Sequence, residues 1–130
     1  MAAKFRKSDA GSIAVEFAFI CPILMTLCLG ICEFGMAFFT YNSAQQAAWD
    51  VTRQLSTGTI APADAQAKIR DRLPSWAKDG ADVPPPVLDA SGSYKITVSI
   101  PLSVASPLHY VTGMFDTTLV ATASFQKEGN

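Results

Sequence analysis

Phe17 to Cys32, FAFICPILMTLCLGIC, contains no charged residue. The apolar character carries on through Glu33 to Phe39, so the run amounts to about 23 residues and roughly 34 Å of helix, enough to cross a bilayer. A cleavable secretory signal has an apolar region of only about 7 to 15 residues, which this stretch exceeds. A lipoprotein signal needs a small residue directly before its cysteine, and here Ile20, Leu27 and Ile31 precede Cys21, Cys28 and Cys32. The run therefore reads as a single membrane-spanning helix. Lys4, Arg6 and Lys7 stand just before it, and no Lys or Arg follows until Arg53. By the positive-inside rule the N-terminus is cytoplasmic and everything after the span is exported, which in a bacterial cell means periplasmic.

Composition removes several function classes. The 130 residues hold 10 Lys and Arg against 11 Asp and Glu, for a net charge of -1, and the basic residues beyond Gly11 are scattered. No basic stripe exists to neutralise a phosphate backbone, so nucleic acid is not an expected partner. All three cysteines fall inside the apolar run, leaving the exported part without a disulfide framework. The single histidine, His109, has no neighbouring ligand to complete a metal set, and no cofactor is implied. The serines lack a His and acid in any recognisable triad pattern, and Asp79, Asp82 and Asp89 do not follow a calcium-loop spacing. No enzyme chemistry is expected.

Two carboxylates interrupt the apolar segment. Glu16 lies at its cytoplasmic start and Glu33 lies about 25 Å further along the helix axis. A charge within hydrocarbon is expensive and points to a partner or a pathway. A span running from near Ile13 to near Glu33 would instead put both carboxylates at headgroup level. Pro22 removes one backbone hydrogen bond and is expected to bend the helix. Cys21, Cys28 and Cys32, spaced seven and four apart, share one face and read as a stripe of small packing residues.

Gly11-Ser12-Ile13-Ala14-Val15-Glu16-Phe17, after a short basic leader and before a span, resembles a class III, type IV-like prepilin cleavage site. The resemblance implies that an aspartyl prepilin peptidase cuts between Gly11 and Ser12. Glycine places no side chain in the way of an extended backbone entering a protease cleft. The new α-amino group on Ser12, with an ordinary pKa of about 7.7 to 8, could be neutralised by Glu16 in cis or in a neighbouring subunit. Further on, Pro22-Ile23-Leu24, Glu33-Phe34-Gly35 and Tyr41-Asn42 before an alanine-rich helix extend the likeness. Together these stretches look like the TadE-like family of minor pilins, or pseudopilins, from tight-adherence pilus systems. Met36 and Ala37 depart from the pattern, since related sequences often carry a basic residue there, and Glu33 is left without an ion pair on its own helix.

What the resemblance implies is an assembly protein of the Flp-type pilus. Its partners would be the prepilin peptidase, other minor pilins, the major pilin and the inner-membrane secretion platform. Gly11 and Ser12 would carry cleavage, Glu16 and Phe17 the packing of the mature N-terminus, and Pro22, Glu33 and Gly35 intramembrane packing or partner contact. The protein would sit in the bacterial inner membrane as a single-pass chain and could pass into an extracellular pilus. The rival reading is an unprocessed single-span anchor with a periplasmic protein-binding head.

Beyond Tyr41 the helix is expected to continue, because Ala44, Ala47, Ala48, Val51 and Leu55 recur at helical spacing, and to stop near Gly58. Trp49 is expected to pack on the globular part. Pro62 suits a first-turn proline of a second helix carrying Ala65, Ile69 and Leu73, with Asp64 and Lys68 as an i,i+4 pair and Pro74 as the stop. Lys78 to Pro86 reads as a polar, proline-rich connector. Val87-Leu88, a turn at Ser91-Gly92 and the alternating Tyr94, Ile96, Val98 and Ile100 predict a hairpin, ended by Pro101. Ser106 to Met114 reads as a loop or short helix, and Leu119, Ala121, Ala123 and Phe125 as a last strand. The fold class is α+β: a long N-terminal transmembrane helix continuing into an amphipathic helix packed against a small antiparallel β-sheet head. Residues 1–11 form the leader, 12–41 the transmembrane helix, and 42–130 the exported head, including the helix continuation at 42–56.

Overall fold

The computed structural model describes residues 9–127, so the basic leader residues Lys4, Arg6 and Lys7 lie outside it. Helix α1, Asp9–Ser56, runs uninterrupted for 48 residues, about 70 Å at 1.5 Å per residue. Thr26 Oγ1 donates to the Pro22 carbonyl at 2.9 Å, one turn along, and the helix continues through the proline. Among the described residues it is the one helix long and apolar enough to cross a membrane. None of its most hydrophobic window, mean hydropathy 2.2, is buried within the molecule.

The helix ends where expected, by a specific cap. Gly58 adopts φ 70°, its N–H donates to the Leu55 carbonyl at 3.1 Å, and the Thr59 N–H reaches back to Gln54 at 2.9 Å. This pair of bonds is a Schellman motif, which needs a residue at positive φ where it closes. A 3-10 turn at Pro62–Asp64 then leads into α2, Ala65–Arg72. Ala65, Ile69 and Leu73 are buried in the core that α2 shares with α1. The two helices are also linked at the surface by an Arg72–Asp50 ion pair. Lys68 turns away from Asp64 and donates to Gln54 Oε1 at 3.1 Å; a neighbouring helix offers it an acceptor that its own solvated face does not.

The sheet has order β1-β2-β3, all antiparallel, from β1 Val87–Leu88, β2 Ser93–Pro101 and β3 Thr118–Gln126. β2 and β3 pair without a slip from Ser93↔Gln126 to Pro101↔Thr118. The hairpin turn is built by Asp89, whose Oδ1 accepts from the Ser91 and Ser93 amides at 2.8 and 3.0 Å, and by Gly92 at φ 78°. Alternation sends Ile96, Val98 and Ile100 of β2 and Ala121 and Ala123 of β3 inward. They join Ala44, Ala47, Ala48, Val51 and Leu55 of α1 in one cluster. Alanines on both walls let the helix and sheet backbones approach closely.

The connector is tied down more firmly than its composition suggests. Ala81 and Val83 are buried, and Asp82 and Ser99 exchange two backbone bonds of 2.8 and 2.9 Å. Gln66 Nε2 donates to the Val83 carbonyl at 2.6 Å. After β2 comes a single turn α3, Leu102–Ala105, ahead of the stretch Ser106 to Met114 read as loop or short helix, which holds a 3-10 turn at Thr112–Met114.

Candidate assembly interface on the N-terminal helix

One face of α1 is covered by the head and the others are free. The covered stripe includes Glu33, Ala37, Thr40, Ala44, Ala47, Ala48, Val51, Thr52, Leu55 and Ser56. It therefore starts eleven residues earlier than the alanine pattern alone implies. Contacts at three levels, Thr40, Met36 and Glu33, fix its lower half. Thr40 Oγ1 donates to the Ala105 carbonyl at 2.7 Å, and Trp76 Nε1 donates to Thr40 Oγ1 at 3.1 Å. Lower down, Ser106 Oγ lies 4.0 Å from Met36 Sδ. Lowest of all, Glu33 accepts from the Val111 amide at 2.5 Å, the Thr112 amide at 3.1 Å and the Thr112 hydroxyl at 2.5 Å.

Glu33 thus answers the cost of a carboxylate in an apolar helix with donors from its own chain. The residue is fully buried, and both oxygens are occupied by hydrogen bonds. The loop that binds it covers its side chain. Nothing in the sequence near Glu33 names this partner, which lies 78 residues away. One signal was present: Glu33, Ala37 and Thr40 extend the alanine stripe backward at helical spacing.

The other candidate residues lie on the free part of the helix. Gly11 and Ser12 sit in the first turn, and Glu16, Phe17 and Pro22 are exposed. Phe17 is 64% exposed, and among the described residues no cation lies within ion-pair distance of Glu16. Gly35 faces outward, and no other part of the molecule comes within 4 Å of where its Cβ would be. Its lack of a side chain is not required by the fold. Cys21 is half-buried, Cys28 and Cys32 are exposed, and all three are free thiols. Glu33 belongs to the head contact, whereas Gly11, Ser12, Glu16, Phe17, Pro22 and Gly35 remain on the open surface.

At the far end of α1, Gln45, Gln46, Trp49, Asp50, Arg53 and Phe125 line an open groove of about 650 Å³. Trp49 meets Phe125 edge to face at 5.2 Å and 85°, yet it remains 54% exposed. Its packing on the head is therefore one-sided. Among the described residues no group of His, Cys, Asp and Glu could hold a metal ion.

No curated protein and no solved structure matches the chain. The family model described as TadE-like protein matches residues 11–53, a stretch running from the glycine at the candidate cleavage site, through the span, to the alanine face that carries the head. Over that stretch the chain is similar to the TadE-like family.

Proposed function

We propose that the chain is a minor pilin, or pseudopilin, that takes part in assembling a tight-adherence (Flp) pilus after a prepilin peptidase cuts between Gly11 and Ser12. The observation that carries this reading is the division of α1: one face below Tyr41 is closed by the head from Glu33 upward, while Glu16, Phe17 and the large apolar side chains of the lower span remain exposed. An uncovered helix of this kind buries its surface in lipid while the protein waits in the membrane. It can bury the same surface against other pilin helices during assembly. The N-terminus lies in the cytoplasm and the head in the periplasm, as the basic leader before the span requires.

Cleavage asks something of the helix. Gly11 and Ser12 lie in its first turn, and a protease cleft takes an extended backbone, so that turn must open first. Glycine lowers the cost of opening, being worse than alanine in a helix by about 1 kcal/mol. The Ser12 amino group created by the cut lies one helical turn from Glu16, the acid that can neutralise it in cis or across a subunit boundary. Partner minor pilins, the major pilin and the secretion platform would contact the free faces of α1 and the head.

The test is co-expression with a prepilin peptidase followed by intact-mass measurement. The expected result is loss of the eleven-residue leader and a block of that loss in Gly11→Ala. An unchanged mass in both would overturn processing and leave a plain membrane anchor with a periplasmic head.

A further inference from the structure

We propose that the loop from Pro107 to Phe115 lies on the outer lipid surface, giving the head a second membrane contact beside its helix. This rests on α1 being a membrane anchor and is independent of any pilus role.

The loop's height along α1 can be read from its bonds. Ala105 is held at the level of Thr40, Ser106 lies beside Met36, and Val111 and Thr112 bind Glu33. Val111 Cγ2 comes within 3.8 Å of where a Cβ on Gly30 would be. The chain therefore descends α1 turn by turn, and the loop is the lowest part of the head. It then climbs back, with Leu102 donating to the Thr117 carbonyl at 2.7 Å.

On the register that runs from near Ile13 to near Glu33 and puts both carboxylates at headgroup level, that level coincides with the end of the span. From Ile13 to Cys32 the helix rises about 30 Å, the thickness of a bilayer's hydrocarbon core. Gly30 to Glu33 then falls at the outer boundary, and the loop with it. The chemistry of the loop suits that position. From Leu102 to Phe115 there is no Asp, Glu, Lys or Arg, and His109 is its one titratable group besides Tyr110. Leu108, Tyr110, Met114 and Phe115 are 44%, 52%, 78% and 51% exposed, and Phe34 of α1, at the same height, is 48% exposed. Exposed large apolar side chains gathered at one level in this way mark an interaction site. Its continuity with the exposed apolar span identifies the occupant as lipid. Aromatic and thioether side chains with a tyrosine hydroxyl among them suit the headgroup boundary, where one end of a side chain is wet. The backbone there stays within reach of water, as irregular structure requires. Glu33 is the clasp that holds the loop at this height.

The test places a nitroxide on the full chain in nanodiscs of phosphatidylethanolamine and phosphatidylglycerol. Cys21, Cys28 and Cys32 are first replaced by serine, and single labels are introduced as Met114→Cys, Leu24→Cys and Thr59→Cys. Relaxation by oxygen, which concentrates in lipid, is compared with relaxation by a water-soluble nickel chelate. The Leu24 label reports the anchor: if it is open to nickel, the span itself is wrong. With Leu24 in lipid, the proposal expects the Met114 label to be accessible to oxygen and shielded from nickel, while the Thr59 label is open to nickel. A Met114 label as open to nickel as Thr59 overturns the proposal. So does one shielded from both reagents, since a protein surface would then cover the loop. Met114 is exposed and makes no core contact, so its replacement leaves the fold intact.

Discussion

Replacing Gly80 with alanine would test how the descending segment is held. A Cβ at this position would lie 2.7 Å from Val104 Cγ2 and 3.0 Å from both Val104 Cβ and Cγ1. All three atoms belong to one β-branched side chain on α3, which has few rotamers to retreat into. The clash therefore has to be relieved by moving α3 itself, and α3 carries the Ala105 carbonyl that receives Thr40 and Trp76. Forced overpacking of this kind costs about 1 to 3 kcal/mol, which for a domain of this size is a fall in melting temperature of roughly 5 to 20 °C. Near-UV circular dichroism of the full chain in detergent reads the change through Trp76, whose indole is fixed in the contact. Val104→Ala deletes the two clashing methyl groups at a cost of its own of about 1 to 2 kcal/mol. In the double variant only the 3.0 Å approach to the Cβ of residue 104 remains, so the pair should lose less than the sum of the two singles. A Gly80→Ala protein that melts like its parent, or a double variant whose loss is the sum of the two singles, would refute the close-packing argument.

Four further outcomes follow from the same geometry. Glu33→Ala removes the acceptor of the Val111 and Thr112 amides, so hydrogen exchange at those two positions should quicken by about tenfold or more while the β2 amides stay protected; equal exchange in both proteins would show that the clasp does not hold the loop. The Asp89 carboxyl is held below its ordinary pKa of 3.8, first by the Ser91 hydroxyl and then by the Ser93 amide. Since its folded pKa is depressed, its contribution is complete above the unfolded value and fades as pH falls through the folded one. Asp89→Ala should therefore melt below its parent at neutral pH, with the difference closing under strong acid; a constant difference would contradict the charged-turn account. Glu16→Ala should leave removal of the leader intact and lower the amount of assembled pilus, seen by electron microscopy of a deletion strain complemented with the variant. Arg72→Ala, which breaks an exposed pair with Asp50, should shift thermal stability by less than about 1 kcal/mol, and a larger loss would mean that the pair is part of the core contact.

The long helix, its stop, the second helix and the hairpin were legible because each is governed by local rules. Gly58 marks the stop since its φ of 70° is one that glycine adopts freely, and Ile96, Val98 and Ile100 alternate because β2 has one buried face. The depth at which the head reaches down α1 was not legible from local pattern. It depends on Val111 and Thr112 meeting Glu33 across 78 and 79 residues, and short apolar loops such as Pro107 to Phe115 carry no period to say where they pack. Lys68 differs for the same reason: its helical partner Asp64 is visible in sequence, whereas Gln54 on another helix is not. The connector between Lys78 and Pro86 looks like a free polyproline linker, yet Asp82 is bonded to Ser99 on both sides, a pairing that composition does not encode.

The position of Glu33 gives the two acidic residues of α1 different physical tasks. Glu33 is satisfied within its own chain, by two amides and a hydroxyl that the head supplies, so its charge needs nothing from a neighbour. Glu16 lies on the uncovered stretch, about 25 Å away along the axis, with no cation near it among the described residues. A carboxylate in that situation is stable only beside a headgroup, water or a new positive charge. The proposed cut supplies such a charge at Ser12, one helical turn away. On the proposed reading, then, Glu16 is the residue whose surroundings would change on processing or on leaving the membrane, and Glu33 is the residue that would keep the loop at Val111 and Thr112 on the helix while that happens.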